Sequence, residues 1–125
     1  MRRKKFQLVK LVINAANAEV PINLETDKHY QKISGIVHTS TDDAALKGTV
    51  FTKFEINSHE IFPEGFEVKL LHTGLEVSPD ERYHPLDEPA GGNLVVGKYK
   101  DGGNAAAYPY TATLTLKLEN SDEQN

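Results

Sequence analysis

A chain of 125 residues is long enough for one domain with a two-layer core, and it leaves little room for a second domain. It contains no cysteine, which excludes a disulfide-stabilised scaffold, so burial and hydrogen bonding must supply its stability. A net charge of -4 at pH 7 argues against a surface devoted as a whole to nucleic acid.

The two ends of the chain carry opposite charge. Residues 119–125 hold only acidic charges, whereas the charges among the first ten residues all come from Arg2, Arg3, Lys4, Lys5 and Lys10. We therefore predict a basic N-terminal arm over residues 1–5, a single domain over residues 6–119 and an acidic polar tail over residues 120–125. A basic arm favours contact with an acidic neighbour or with nucleic-acid phosphate.

The opening also has the outline of a signal peptide, because an apolar run over residues 6–15 follows the basic residues. Gln7, Lys10 and Asn14 interrupt that run, and its side chains alternate as they do in a strand, so we predict a strand here. No apolar stretch approaches the roughly 20 residues of a membrane-spanning helix, and we expect no membrane span.

The next predicted elements are short. Residues 19–24 alternate as a strand, and Pro21 restricts that strand to a position near a sheet edge because proline lacks an amide hydrogen. Residues 30–39 form the following strand, in which Gly35 indicates a β-bulge. Residues 41–48 predict a single helical turn, with an aspartate or threonine cap at its start and a glycine at its end.

Residues 49–71 predict a three-stranded meander. The first strand covers residues 49–56, and Asn57 and Ser58 suit a tight hairpin that returns the chain along residues 60–62. A Pro-Glu-Gly turn then leads into a third strand over residues 66–70. Such a meander buries one face and leaves the other partly apolar, so it requires a second sheet.

Residues 73–92 show no strand pattern and contain three prolines, five acidic residues and one arginine. We predict a long acidic loop. Because structureless loops of this length commonly carry function, we assign it to contact with a partner.

The last two strands are predicted over residues 93–99 and 110–118, with Gly-rich turns before each. About eight strands without a long helix predict an all-β fold, an antiparallel two-sheet sandwich that is jelly-roll-like, with an immunoglobulin-like sandwich as the alternative. One face of the last strand should be buried against Val50, Phe54, Val68 and Leu70. The residues of that face are Tyr110, Ala112, Leu114, Leu116 and Leu118.

Residues with catalytic or metal-binding chemistry do not form a recognisable motif. The histidines occur singly, without the paired spacing of a metal site, at His29, His38, His59, His72 and His84. Three acidic pairs lack the spacing of a dedicated calcium loop, which leaves calcium binding open: Asp42 and Asp43, Asp80 and Glu81, Asp87 and Glu88. With no nucleophile elbow either, we predict no enzyme, no cofactor and no metal site.

A carbohydrate- or host-surface-binding module is the alternative function. Tyrosine rings on or near the loops around the last two strands suit stacking on sugars, namely Tyr83, Tyr99, Tyr108 and Tyr110. Tyrosines in such places also close a core or fill a protein interface, and the chain has no tryptophan, which sugar-binding surfaces favour.

Three stretches carry a resemblance to a known group of proteins. They are residues 54–68, which include Phe54-Glu55-Ile56 and the run from Ile61 to Val68, residues 88–92 and residues 107–110. In these motifs the chain resembles small bacteriophage virion structural proteins. The resemblance implies a capsid-associated β-sandwich subunit, at a vertex, as a minor capsid protein or as a surface decoration. Such a subunit forms oligomers, contacts other virion subunits, and is found in the virion or, during assembly, in the host cytoplasm.

On this hypothesis the basic arm and the acidic loop bind neighbouring subunits, and nucleic acid is a second partner for the arm. The predicted partner-binding residues are Arg2, Arg3, Lys4, Lys5, Asp80, Glu81, Tyr83, Asp87 and Glu88.

Overall fold

The computed structural model describes residues 4–71 and 84–120, apart from the side chain of Asp43. This part of the chain forms nine β-strands and two single turns of 3-10 helix. The strands are β1 (Lys4–Ile13), β2 (Glu19–Glu25), β3 (Lys32–Ser40), β4 (Val50–Ile56), β5 (His59–Phe62), β6 (Phe66–Glu67), β7 (His84–Pro89), β8 (Leu94–Lys100) and β9 (Tyr110–Glu119). The 3-10 turns are Asp43–Leu46 and Val68–Leu71.

The strands form two antiparallel sheets that pack face to face. The first sheet has the order β1-β9-β3-β7, and the second has the order β2-β8-β4-β5, with the short β6 also paired to β4. The predicted all-β antiparallel sandwich is confirmed, with nine strands where about eight were expected. Among the described residues, no helix has the length and apolar character needed to cross a bilayer.

The inner face of β9 provides the centre of the core, as its alternation predicts. Tyr110, Ala112, Leu114, Leu116 and Leu118 are all buried, while the threonines between them lie half-buried on the outer face. Leucines on one face and threonines on the other fix the register, because a shift by one residue would exchange the two faces.

The prediction of which residues pack against β9 is only partly correct. Phe54 and Val68 are buried, but Val50 is half-buried and Leu70 is 60% exposed. A register shift between Phe51 and Lys53 places an extra residue in β4, so that Phe51 and Phe54 both face the core.

The third strand of the predicted meander is shorter than expected. It ends at Glu67, and the 3-10 turn that follows points Val68 and Leu71 inward. This turn, in place of a strand, is the reason why Leu70 faces solvent.

The predicted turns and the predicted bulge are confirmed. Asn57 and Ser58 have φ values of 52° and 67°, which suit the tight hairpin between β4 and β5, and Gly65 has φ of 88°. The 3-10 turn at Asp43–Leu46 is capped by Asp42, whose carboxylate accepts a hydrogen bond from the amide of Ala44. A register shift at Gly35 in β3 puts Ile33, Ile36 and His38 on the core side.

The prediction of one continuous irregular loop over residues 73–92 is wrong in its second part. Residues 84–89 form β7, an edge strand that pairs with β3, and the amide of Ala90 extends the pairing to the carbonyl of Gln31. Pro85 and Pro89 made this segment look like a loop, but proline is compatible with an edge strand. The first part of the predicted loop lies outside the described residues.

Candidate interaction surface

The predicted partner-binding residues fall into two groups. Arg2, Arg3, Asp80, Glu81 and Tyr83 lie outside the described residues. Lys4 and Lys5 begin β1, so the strand starts two residues before the expected domain boundary. Asp87 is exposed and Glu88 is half-buried, both on β7. These four described residues lie on the two opposite edges of the first sheet.

Lys5 has a partner within its own chain. Its Nζ donates to Asp27 Oδ2 at 2.6 Å, and Asp27 also accepts from the amide of His29 at 2.8 Å. The hydrogen bond to Asp27 raises the pKa of Lys5, and the same bond lowers the pKa of Asp27. Lys5 therefore joins the start of β1 to the connection between β2 and β3.

Gln7 strengthens the same connection. Its Nε2 donates to the carbonyl of Glu25 at 3.0 Å, and its Oε1 accepts from the amide of Asp27 at 3.2 Å. Because Leu11 and Ile13 are buried further along β1, the strand is held to the body of the sandwich over its length.

The outer face of β1 is apolar and exposed. Phe6 is 49%, Leu8 is 54% and Val12 is 51% exposed. Lys10, which is also exposed, lies on the same face of the strand between Leu8 and Val12. We call Phe6, Leu8, Lys10 and Val12 the β1 strip. Since β9 is the only strand that pairs with β1 within residues 4–71 and 84–120, the strip lies at an edge of the described sheet. Single exposed apolar residues are ordinary, but a row of them along one edge strand marks a surface that gains stability when covered.

A buried carboxylate organises the end of the sandwich near the β8–β9 connection. Asp101 is fully buried and accepts hydrogen bonds from the hydroxyls of Tyr108 and Tyr110, each at 2.6 Å. The amides of Asn17 and Gly103 donate to it at 3.0 and 2.9 Å. Burial alone would raise the pKa of Asp101, but the hydrogen bonds outweigh burial, and the pKa lies below its ordinary value.

The pKa values of the two tyrosine hydroxyls that donate to Asp101 are raised, whereas the pKa of Asp101 itself is lowered. Burial, and then the hydrogen bond to Asp101, raises the pKa of Tyr110, whereas the hydrogen bond to Asp101 is the main cause that raises the pKa of Tyr108. Both tyrosines are therefore donors at neutral pH. They tie β9 and the loop before it to the end of β8.

Tyr99 also belongs to the core. It is fully buried, its hydroxyl lies 2.9 Å from His38 Nε2, and the two rings are stacked with centroids 5.7 Å apart. Burial raises the pKa of the Tyr99 hydroxyl. Tyr99 and Tyr110 thus close the core, and these two rings are not presented to a sugar.

The sequence analysis does not single out Asp101, which lies at the start of the Gly-rich turn that it predicts before the last strand. The available signal was an acidic residue at the end of a strand, followed seven and nine residues later by tyrosines. Nothing in the spacing alone shows that the carboxylate is buried, because burial depends on the turn at Asn17 closing over it.

The outer face of the second sheet carries a shallow groove of about 480 Å³. Lys53, Glu55, Leu94 and Val96 line it, together with residues of the adjoining turns. Its described lining contains no aromatic ring, so it does not offer the stacking platform that a carbohydrate site commonly uses.

Metal-binding side chains are dispersed over the part of the chain that the structure describes. Within residues 4–71 and 84–120, no three histidine, aspartate or glutamate side chains are grouped closely enough to hold a metal ion.

A scan of protein-family models and searches of curated proteins and of solved structures give no match to this chain.

Proposed function

We propose that the protein is a non-catalytic structural subunit of a virus particle, associated with the capsid and assembling with neighbouring copies. The β1 strip carries this proposal. It places Phe6, Leu8 and Val12 on one face of an exposed edge strand of ten residues. Natural proteins commonly shorten or cover such edges, so a long edge with an apolar outer face favours association.

The expected strength of the contact suits a multi-copy assembly. Complete burial of an apolar side chain contributes about 1.5 to 3 kcal/mol, and these three are already half-covered, so the strip supplies roughly 3 kcal/mol. That is less than the roughly 4 kcal/mol of a millimolar complex. One such contact holds two copies only briefly, and many contacts acting together in a particle hold them stably.

The strand order is a second source of support. The first strand pairs with the last and the second with the second-last, and the chain changes sheet between most successive strands. This wrapping favours the jelly-roll topology over the immunoglobulin-like alternative, and jelly rolls include viral capsid domains as well as lectins and cupins. Fold analogy supports a structural role only in combination with the site, and the resemblance of residues 54–68, 88–92 and 107–110 to virion proteins points the same way.

The association is tested by sedimentation velocity at protein concentrations up to the millimolar range, because a contact of this strength is appreciably populated only at such concentrations. We expect the wild-type chain to form reversible oligomers, and Leu8→Ser to shift them toward monomer because it removes an exposed apolar group from the strip. Leu94→Ser is the matched control, since Leu94 is 51% exposed but lies on the second sheet.

Two outcomes contradict the proposal. One is a chain that stays monomeric at every concentration and fails to co-sediment with particles from infected cells. The other is an equal loss of association in Leu8→Ser and Leu94→Ser, which would locate the contact elsewhere.

A further inference from the structure

The two edges of the first sheet carry opposite charge. On one edge, β1 holds Lys4, Lys5 and Lys10 and no acidic residue. On the other edge, β7 holds Asp87 and Glu88 and no lysine or arginine. The remaining titratable group on β7 is His84, whose ring contacts Phe62 of the second sheet.

The opposite charges also lie at the same level of the sheet. Lys5 pairs with Leu118 of β9, Leu118 pairs with Ile33 of β3, and Ile33 pairs with Glu88. By the same path Lys4 is level with the last residue of β7. A line drawn across the sheet, perpendicular to its strands, thus runs from the basic end of one edge to the acidic end of the other.

Strand directions allow the two edges to meet. Every pairing in β1-β9-β3-β7 is antiparallel, so β1 and β7, the first and the fourth strand of the sheet, run in opposite directions. A second copy placed beside the first in the same orientation therefore sets its β1 antiparallel to the β7 of the first copy. The sheet continues across the contact without a reversal.

We propose that the partner of the β1 edge is the β7 edge of a second copy, in a head-to-tail contact that extends the first sheet. This inference rests on the proposed function, because it names the partner of the same surface. Lys4 and Asp87 are exposed and face the outer side of the sheet. Because Lys4 is level with Pro89, it becomes a diagonal neighbour of Asp87 across the contact. Repetition of one such contact produces a ring or an open chain of copies.

A symmetric contact between two β1 edges is disfavoured by charge. It would place the lysines of both copies on adjacent strands, where like charges oppose pairing. The head-to-tail contact instead brings each basic edge against an acidic one.

The head-to-tail contact is expected to be weak and sensitive to salt. Pro85 and Pro89 cannot donate hydrogen bonds from β7, so the contact has fewer backbone hydrogen bonds than an unbroken ladder. Exposed ion pairs contribute about 0 to 1 kcal/mol each and are screened by salt.

Charge exchange tests the inference. We compare Lys4→Glu, Asp87→Lys and the double variant by sedimentation velocity at low salt, leaving Lys5 intact because it binds Asp27. Each single variant turns an attraction into a repulsion and should weaken self-association by roughly tenfold. The double variant restores the complementarity and should recover most of the loss.

An equal mixture of the two single variants should associate more than either alone. Lys98→Glu, an exposed change on the second sheet, is the control and should have no effect.

The outcomes separate the inference from the proposed function. If Leu8→Ser dissociates the oligomer but Asp87→Lys does not, the protein assembles through β1 and the head-to-tail contact is wrong. If the double variant associates no better than the single variants, the pairing of these edges is also wrong. If the wild-type chain neither self-associates nor co-sediments with particles, the proposed function itself fails.

Discussion

Asp101 shows how one side chain holds several segments of a β-sandwich together. The carboxylate accepts from Tyr108 and Tyr110 and from the amides of Asn17 and Gly103, which belong to the β1–β2 and β8–β9 connections and to β9. An ionised carboxylate is suited to this place because it offers only acceptors, and all four of these neighbours are donors.

Replacement of Asp101 by alanine should destabilise the fold strongly. The change leaves buried donors without an acceptor, each at about 1 to 3 kcal/mol, and we expect a loss of about 2 to 4 kcal/mol in the free energy of unfolding. Urea denaturation at pH 7 measures this loss. Asp87→Ala is the control, because that carboxylate is exposed, and it should change stability by no more than about 0.5 kcal/mol. Equal effects of the two changes would show that the hydrogen bonds of Asp101 do not hold these segments together.

The same residue predicts the direction of the acid response. Because the pKa of Asp101 is lower in the folded chain than its ordinary value of 3.8, the folded state holds this proton less tightly than the unfolded state does. The stabilisation is therefore complete above pH 3.8 and is lost as the pH falls through the folded pKa. Asp27 contributes in the same direction.

Denaturation at pH 7 and at pH 3 checks this response. Asp101→Asn lacks the titrating group, so it should be less stable than the wild-type chain at pH 7 and should lose less of its remaining stability on acidification. Parallel losses in the two proteins would assign the acid sensitivity to other groups.

At the scale of single strands, β9 supports the clearest prediction. Leu114 is 1% exposed at the centre of the inner face, and Leu114→Ala should cost about 2 to 5 kcal/mol because it leaves a cavity. Thr113→Ala, on the half-buried outer face of the same strand, should cost far less. Chemical denaturation of both variants tests this. Similar losses on the two faces would mean that the outer face is covered as well.

The strands differ in how far their sequences predict them. In β9 the two faces differ in chemistry at every position, so both the strand and its buried face follow from the alternation. In β7 the prolines conceal the strand, because only its position at the sheet edge makes them acceptable. The two edges of the first sheet were therefore only partly predicted, since the charges of Asp87 and Glu88 were noted but their position on the edge opposite β1 was not.

The bulge in β4 was missed because its extra residue, Thr52, has no property that marks a bulge. The bulge in β3 was predicted because it lies at a glycine, Gly35. The counterpart of the β4 bulge lies on the neighbouring strand. A Cβ atom on Gly97 of β8 would approach the carbonyl oxygen of Lys53 to 2.6 Å, closer than real side chains come. Gly97 accommodates the displaced backbone of β4. The sequence does not show this relation, because it depends on the pairing of β4 with β8.

At the scale of the whole molecule, charge is separated more clearly than the net value of -4 suggests. The first sheet has a basic edge and an acidic edge, and an apolar strip runs along the basic one. Within the described residues, Lys4 on β1 is the register partner of Glu119 on β9, so the two strands that carry these opposite charges are neighbours. Which surfaces are exposed, however, depends on the pairing of strands distant in sequence, and local patterns do not contain that information.

The position of β9 has a consequence for synthesis of the protein. This strand is the last of the described strands in chain order, yet it lies inside the first sheet, between β1 and β3. Until β9 has been synthesised, β1 has no neighbour among the described strands of its sheet, and the edge of β3 that pairs with β9 stays open. The first sheet therefore cannot be completed until β9 has left the ribosome. A nascent chain stopped before Tyr110 would leave β1 without a neighbour and β3 with one open edge, where the backbone is free to pair with another chain.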